Sequence, residues 1–181
     1  MDRYPIRVTL LANAGVLIRY RDTALLLDGL FGRKDNPFSL LPSGCREAML
    51  RGEPPFERLD YLLFTHYHPD HFDPEMVRAL LEHRRVKGLF YPKDEAPAVQ
   101  NLSRWLQQEG IPCVPLCRGT DRAAIQIEPS ISVQAFMVPH LGEEYRSVPH
   151  VCYLLSFDGR QVLFTADSDY LHEDFSRLAG T

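Results

Sequence analysis

The stretch Leu59-Asp60-Tyr61-Leu62-Leu63-Phe64-Thr65-His66-Tyr67-His68-Pro69-Asp70-His71 joins an apolar run to a cluster of histidines. The run over 59–64 is short and apolar enough to form a buried strand. The cluster has the spacing H-x-H-x-D-H and holds three of the seven histidines of the chain. Side chains that follow the carboxyl end of a strand are well placed to converge, and imidazoles with a carboxylate are preferred donors for divalent metals. The stretch therefore predicts a metal site, with a histidine-rich surface turn as the alternative.

On both sides of this stretch, the sequence alternates short apolar runs with capped helical segments. Asp73 and Pro74 are typical of a helix N-cap and first helical residue. Asp158-Gly159 is typical of a two-residue hairpin turn. The predicted strands are 7–11, 15–20, 24–28, 59–64, 86–91, 111–116, 122–127, 131–138, 151–157 and 161–165, and the predicted helices are one after Asp73, 94–109 and 172–178. The order predicts an α/β protein with a mixed sheet, in which 29–57 is a long surface loop.

Composition narrows the class of protein. The 181 residues are 45% hydrophobic and 24% charged with a net charge of -4, which is typical of one globular domain over 1–181. No apolar stretch reaches the roughly 20 residues of a membrane-spanning helix. Acidic residues outnumber basic ones, so we do not expect the basic surface that binding to nucleic acid normally requires. The N-terminus has no signal-peptide pattern, so we expect a cytoplasmic location. The four cysteines are scattered along the sequence, and we expect them to be inert thiols. We expect the basic residues 84, 85 and 87 to form a solvated helix end.

The H-x-H-x-D-H array after an apolar strand resembles the motif of the metallo-β-lactamase superfamily of metal-dependent hydrolases. The resemblance continues in the stretches 11–18 and 25–28, which are similar to the family's N-terminal meander, and in 162–167, which is similar to the strand that carries its bridging aspartate. It implies an αββα sandwich of mixed sheets. Because the chain stops soon after Asp167, the second half is expected to be incomplete.

The resemblance also implies a set of metal ligands. His66, His68 and His140 would hold one metal, Asp70 and His71 a second, and Asp167 would bridge the two. His150 is the competing candidate for the position of His140. Asp28 is expected to orient ligands rather than to bind metal. The family's further histidine on a late strand has no counterpart after His172, so His150 or His172 would have to replace it or another chain supply it.

The function implied is hydrolysis of an ester, lactone or phosphodiester by a metal-bound hydroxide, with Asp70 as proton acceptor. Two divalent ions are expected, zinc before manganese or iron. The continuation Phe72-Asp73-Pro74-Glu75 resembles the branch with lactonases and phosphodiesterases. The expected partner is a small-molecule substrate. We expect no association with a membrane, and the chain could form a homo-oligomer. Candidates for the general acid are Tyr67, Tyr145 and His150. The alternatives are redox chemistry and a non-catalytic metal-binding or regulatory module that acts through a partner.

Overall fold

The computed structural model describes residues 4–32, 38–117, 124–170 and 175–176. The chain divides into two compact units, Met1–Pro115 and Leu116–Thr181. The helix predicted over 172–178 and the start of the strand predicted over 122–127 lie largely outside the described residues. The prediction of a single domain stays a prediction.

The first unit is built on a six-stranded mixed sheet whose strands follow one another in sequence order. The first three strands pair antiparallel, and the third, fourth and fifth pair parallel. The strands are β1 (Arg7–Ala12), β2 (Gly15–Tyr20), β3 (Thr23–Leu27), β4 (Tyr61–Leu63), β5 (Gly88–Pro92) and β6 (Cys113–Leu116). All residues of β3, β4 and β5 are buried, as expected for central parallel strands.

Three helices accompany this sheet: α1 (Cys45–Arg51), α2 (Pro74–His83) and α3 (Pro97–Gln108). The Asp73 carboxylate accepts hydrogen bonds from the backbone N–H groups of Glu75 and Met76, which confirms the predicted cap of α2. The apolar face of α2 is buried in the core. Leu80, the leucine buried on this face, contributes roughly 1.5–3 kcal/mol by leaving water. This packing fixes the position of the segment that enters α2.

Beyond strand ends that shift by one or two residues, two features of the first unit differ from the prediction. Helix α1 lies inside the segment predicted as a loop over 29–57. Helix α3 begins at Pro97 rather than at 94, because the Asp94 carboxylate accepts a hydrogen bond from the Ala96 N–H and forms a turn there.

The basic cluster after α2 is also more than a solvated helix end. Arg84 is the C-cap residue of α2, and its guanidinium donates to the carbonyl oxygens of Met49 at 3.0 Å, Phe56 at 2.6 Å and Glu57 at 2.9 Å. Arg84 therefore ties the end of α2 to α1 and to the chain that follows α1.

The second unit contains a four-stranded antiparallel sheet of order β10-β9-β8-β7. The strands are β7 (Ile125–Glu128), β8 (Ile131–Met137), β9 (Val151–Phe157) and β10 (Arg160–Phe164), and a short 3-10 helix spans Glu143–Tyr145. Asp158 and Gly159 have φ values of 48° and 79°, so the predicted hairpin turn between β9 and β10 is confirmed. The loop between β8 and β9 carries His140.

The predicted class, α/β with mixed sheets, is confirmed. In the described part of the chain, no helix combines the length and the apolar character that crossing a membrane requires.

Candidate metal centre

In the first unit, the ends of two parallel strands bring a carboxylate and a hydroxyl together. The register of β3 and β4 places Leu27 opposite Leu63, so the residues that follow both strands leave the sheet at the same edge. The Asp28 N–H donates to the Leu63 carbonyl at 3.0 Å, and Asp28 adopts a left-handed φ of 43°. The side chain of Asp28 consequently lies beside Thr65, and both residues are fully buried.

The segment after the histidine array returns to the exit of β3. Leu30 and Phe72 form a parallel bridge, and the Asp73 N–H donates to the Leu30 carbonyl at 2.8 Å. The ring of Phe72 stacks on that of Phe64 with centroids 4.3 Å apart. This return brings His71 next to Asp28, although 43 residues separate them in sequence.

The carboxylate of Asp28 is the hub of this cluster. Its Oδ1 accepts a hydrogen bond from the Thr65 N–H at 2.8 Å. Its Oδ2 lies 2.5 Å from the Thr65 hydroxyl and 2.8 Å from Nδ1 of His71. Both oxygens are thus engaged, which is the contact pattern expected of an orienting carboxylate, and the carboxylate also lies within 4.8 Å of a ring nitrogen of His66 and of His71.

These hydrogen bonds determine which nitrogen of each histidine carries the proton. A carboxylate only accepts, so Nδ1 of His71 is the donor to Asp28. The Thr65 hydroxyl has a single proton, which it gives to Asp28; it therefore accepts from Nδ1 of His66, which lies 2.9 Å away. In the neutral form of both imidazoles, Nε2 is left with its lone pair.

The predicted ligands of the first unit lie together. Nε2 of His66 is 3.0 Å from Nδ1 of His68, and Nε2 of His71 is 3.5 Å from Oδ2 of Asp70. His66, Asp70 and His71 are buried, and His68 is half-buried.

The second unit holds a matching arrangement around His140. Nδ1 of His140 donates to the Leu141 carbonyl at 2.7 Å, and the Leu141 N–H donates to the Asp167 carbonyl at 2.8 Å. A backbone bridge joins His140 to Ser168. Nε2 of His140 lies 3.8 Å from Oδ2 of Asp167, so the structure brings these two predicted ligands together as well.

His150, the competing candidate, lies in the same unit as His140. The two rings are 5.5 Å apart, and the ring of Tyr145 is 5.2 Å from that of His140. His150 is buried, whereas Asp167 is half-buried and follows Ala166, whose φ is 46°. His172 lies outside the described residues.

Two residues that make contacts near predicted ligands, one in each unit, were not singled out from the sequence. Thr65 connects Asp28 to His66, and Arg146 connects two parts of the second unit: its guanidinium lies 3.2 Å from Asp169 and 3.0 Å from Glu143. The one signal in the sequence was the position of Thr65 directly before the array.

The donor groups fit a divalent metal. His66, His71 and His140 each have Nδ1 placed against an oxygen acceptor. In their neutral form this leaves Nε2 with a lone pair, which is the form in which histidine binds metal. The carboxylate of Asp70 lies beside the imidazole of His71, and the carboxylate of Asp167 lies beside that of His140.

Comparison with known proteins gives relatives with two kinds of activity. The chain is 29% identical over 164 residues to 4-amino-L-phenylalanyl-[CmlP-peptidyl-carrier-protein] 3-hydroxylase from Streptomyces venezuelae, covering 86% of the chain and 28% of that protein. It is similar to the crystal structure of CmlA, a diiron beta-hydroxylase from Streptomyces venezuelae, with a TM-score of 0.64, 24% identity and coverage of 99% of the chain and 33% of that protein.

The chain is also similar to Igni18, a metallo hydrolase from Ignicoccus hospitalis, with a TM-score of 0.59, 15% identity and coverage of 93% of the chain and 63% of that protein. The chain thus spans about a quarter to two thirds of the length of these relatives. The family model described as the beta-lactamase superfamily domain matches residues 25–181. This match includes the whole histidine array and all but the first 24 residues of the chain, and the chain therefore belongs to the beta-lactamase superfamily.

Proposed function

We propose that the protein is a metal-dependent hydrolase that cleaves an ester, lactone or phosphodiester bond in a small-molecule substrate. The observation that carries the proposal is the common tautomer of His66, His71 and His140, each with Nδ1–H anchored and Nε2 available. Family membership supports a metal in this place, and the donor types support a divalent ion.

The proposed ligands are those that the family pattern implies. His66, His68 and His140 would hold one ion, Asp70 and His71 the second, and Asp167 both. The assignment rests on the pattern and on the hydrogen bonds of each residue within its own unit. A set of three imidazoles is typical of hydrolytic zinc sites, which places zinc before manganese or iron.

When bound, divalent ions supply Lewis acidity that acidifies water and polarises the substrate. The residues of the chain do the rest. Asp28 and Thr65 keep the imidazoles of His66 and His71 in the metal-binding tautomer. Asp70, only 7% exposed, is the proposed proton acceptor during attack by water.

A second candidate function is metal-dependent oxidation. It is favoured by the 29% identity to a hydroxylase over 86% of the chain. A non-haem iron site that activates oxygen typically combines two histidines with one carboxylate, whereas the set proposed here for the first ion has three histidines and one carboxylate. We therefore place hydrolysis first.

Metal analysis combined with turnover tests the proposal. The purified protein is loaded with zinc, manganese or ferrous iron, and its metal content is measured by mass spectrometry. Hydrolysis of bis-p-nitrophenyl phosphate, p-nitrophenyl butyrate and a panel of lactones is followed beside oxygen consumption. We expect two ions per chain and hydrolysis that His68→Ala abolishes. His83→Ala is the matched control, because His83 is exposed on α2.

The outcomes separate the candidate functions. Oxygen consumption by the iron form, without hydrolysis by any form, would favour the oxidative function. One ion or none, with no turnover of either kind, would favour a non-catalytic metal-binding module. Hydrolysis that His68→Ala leaves unchanged would contradict the proposed centre.

A further inference from the structure

A cleft of about 1030 Å³ lies in the first unit, beside the histidine array. Its walls come from the chain over 40–44, from α1 and from the first turn of α2. Tyr67, which stands between His66 and His68 in sequence, also lines it. A molecule bound in the cleft would therefore reach the segment that carries the proposed ligands.

The floor of the cleft is apolar. Phe31 and Met76 line it and are only 1% and 4% exposed, so they are fixed in the core. Leu41 and Pro42 continue this surface, and Leu40, which is 60% exposed, stands at its rim. A surface of this kind gains free energy by removing an alkyl or aryl group from water.

Two charged side chains of the cleft are engaged with groups other than the charged side chains that line it. Arg51 pairs with Glu53 at 2.8 Å, and Asp73 caps α2. Arg46 is different: it lines the cleft, it is exposed, and no described residue forms an ion pair or hydrogen bond with its guanidinium.

The overall charge of the walls limits the class of ligand. The lining includes two arginines, Arg46 and Arg51, and three acidic residues, Glu47, Asp73 and Glu75. This balance disfavours a polyanion such as a sugar bisphosphate or a nucleic acid. One exposed guanidinium over an apolar floor is complementary to a single carboxylate on an apolar body.

We propose that this cleft binds an alkyl or aryl arm of the substrate, and that Arg46 pairs with a carboxylate on that arm. The assignment of the bound group to a substrate rests on the proposed function. Binding in the cleft can be measured without turnover, so failure of one proposal is distinguishable from failure of the other.

The test uses two probes of nearly equal size, 4-phenylbutanoate and the neutral 4-phenylbutanamide, titrated into the metal-loaded protein by calorimetry or NMR. We expect the carboxylate to bind more tightly than the amide. Arg46→Gln should raise the dissociation constant of the carboxylate about fivefold and leave that of the amide unchanged. Ser43→Trp, which fills the cleft from an exposed position, should weaken both probes.

Two control variants, Arg104→Gln and His68→Ala, test whether Arg46 itself binds the carboxylate. Arg104→Gln removes an exposed arginine of α3 that is not among the lining residues of the cleft, and it should change neither dissociation constant. Equal effects of Arg46→Gln and Arg104→Gln would overturn the proposal. So would loss of carboxylate binding in His68→Ala with full binding in Arg46→Gln, because the carboxylate would then be binding the metal rather than Arg46.

Discussion

Oδ2 of Asp28 and Nδ1 of His71 lie 2.8 Å apart, and both side chains are buried from solvent. The pair joins the end of β3 to the last residue of the histidine array. The same oxygen accepts the hydroxyl proton of Thr65, so one carboxylate controls two histidines.

Replacing Asp28 by Asn should weaken metal binding about 10- to 100-fold. In the Asp28→Asn variant an NH2 group, which donates, replaces one of the two carboxylate oxygens, which accept. The Thr65 N–H, the Thr65 hydroxyl and Nδ1–H of His71 all donate to Asp28, so at least one of them loses its acceptor. Chelator competition would measure zinc affinity. Asp22→Asn, the same change at a side chain that is 97% exposed, serves as control and should leave the affinity at its wild-type value.

Replacing Thr65 by Val should remove the hydrogen bond that fixes the tautomer of His66. Valine has nearly the shape of threonine but leaves Nδ1–H of His66 without its acceptor, at a cost of about 1–3 kcal/mol in the free energy of unfolding. Thr65→Ser keeps the hydroxyl and should retain most of the zinc affinity. Nitrogen-15 NMR of the imidazoles reports the tautomer directly. An unchanged His66 spectrum in Thr65→Val would disprove the hydrogen-bond assignment.

Replacing Arg84 by Gln should lower the free energy of unfolding by about 2 kcal/mol. The change removes charged hydrogen bonds to three carbonyl oxygens, those of Met49, Phe56 and Glu57. Urea denaturation measures the loss. Arg85→Gln is the matched control: Arg85 is exposed, and the change should stay within about 0.5 kcal/mol. Equal effects of the two substitutions would show that Arg84 does not hold α1 in place.

Stability should fall at alkaline pH through Cys113 and Tyr91. Burial raises the pKa of both groups, and the hydrogen bond between them partly offsets this for the pKa of Cys113. The folded state therefore keeps protons that the unfolded chain releases. Their stabilising contribution is complete below the unfolded cysteine pKa, about 8.5, and is lost as the pH rises through the folded pKa values.

Urea denaturation at pH 7.5 and pH 10 would measure this dependence. The double variant Tyr91→Phe with Cys113→Ala should lose less stability between the two pH values than the wild type does. A loss as large as that of the wild type would assign the alkaline sensitivity to other groups.

Local patterns predicted the elements whose signals lie within a few residues. The strand β2 was predicted with its observed bounds, and α2 was predicted from the cap at Asp73. Helix α1 was missed because its N-cap is Gly44, which has a left-handed φ of 82° and offers no side-chain cap, in a stretch rich in proline and glycine.

The candidate metal centre likewise has residues that a local pattern predicted and contacts that it did not. The H-x-H-x-D-H spacing marked His66, His68, Asp70 and His71, and the structure brings them together. The contacts of these residues with Asp28 and Thr65 could not be read from the spacing, because Asp28 is 43 residues from His71 and 37 from Thr65. Such contacts depend on strand register and loop closure, which leave no local pattern. The family resemblance alone indicated an orienting role for Asp28.

The link between β3 and the histidine array has a consequence for protein engineering. A transplanted array, moved into another scaffold as a continuous segment of residues 65–71, would leave Asp28 behind. The grafted histidines would then sample both tautomers and several ring orientations. A functional graft must import the aspartate from the neighbouring strand in the same register, so the smallest transferable unit is a pair of strands rather than a loop.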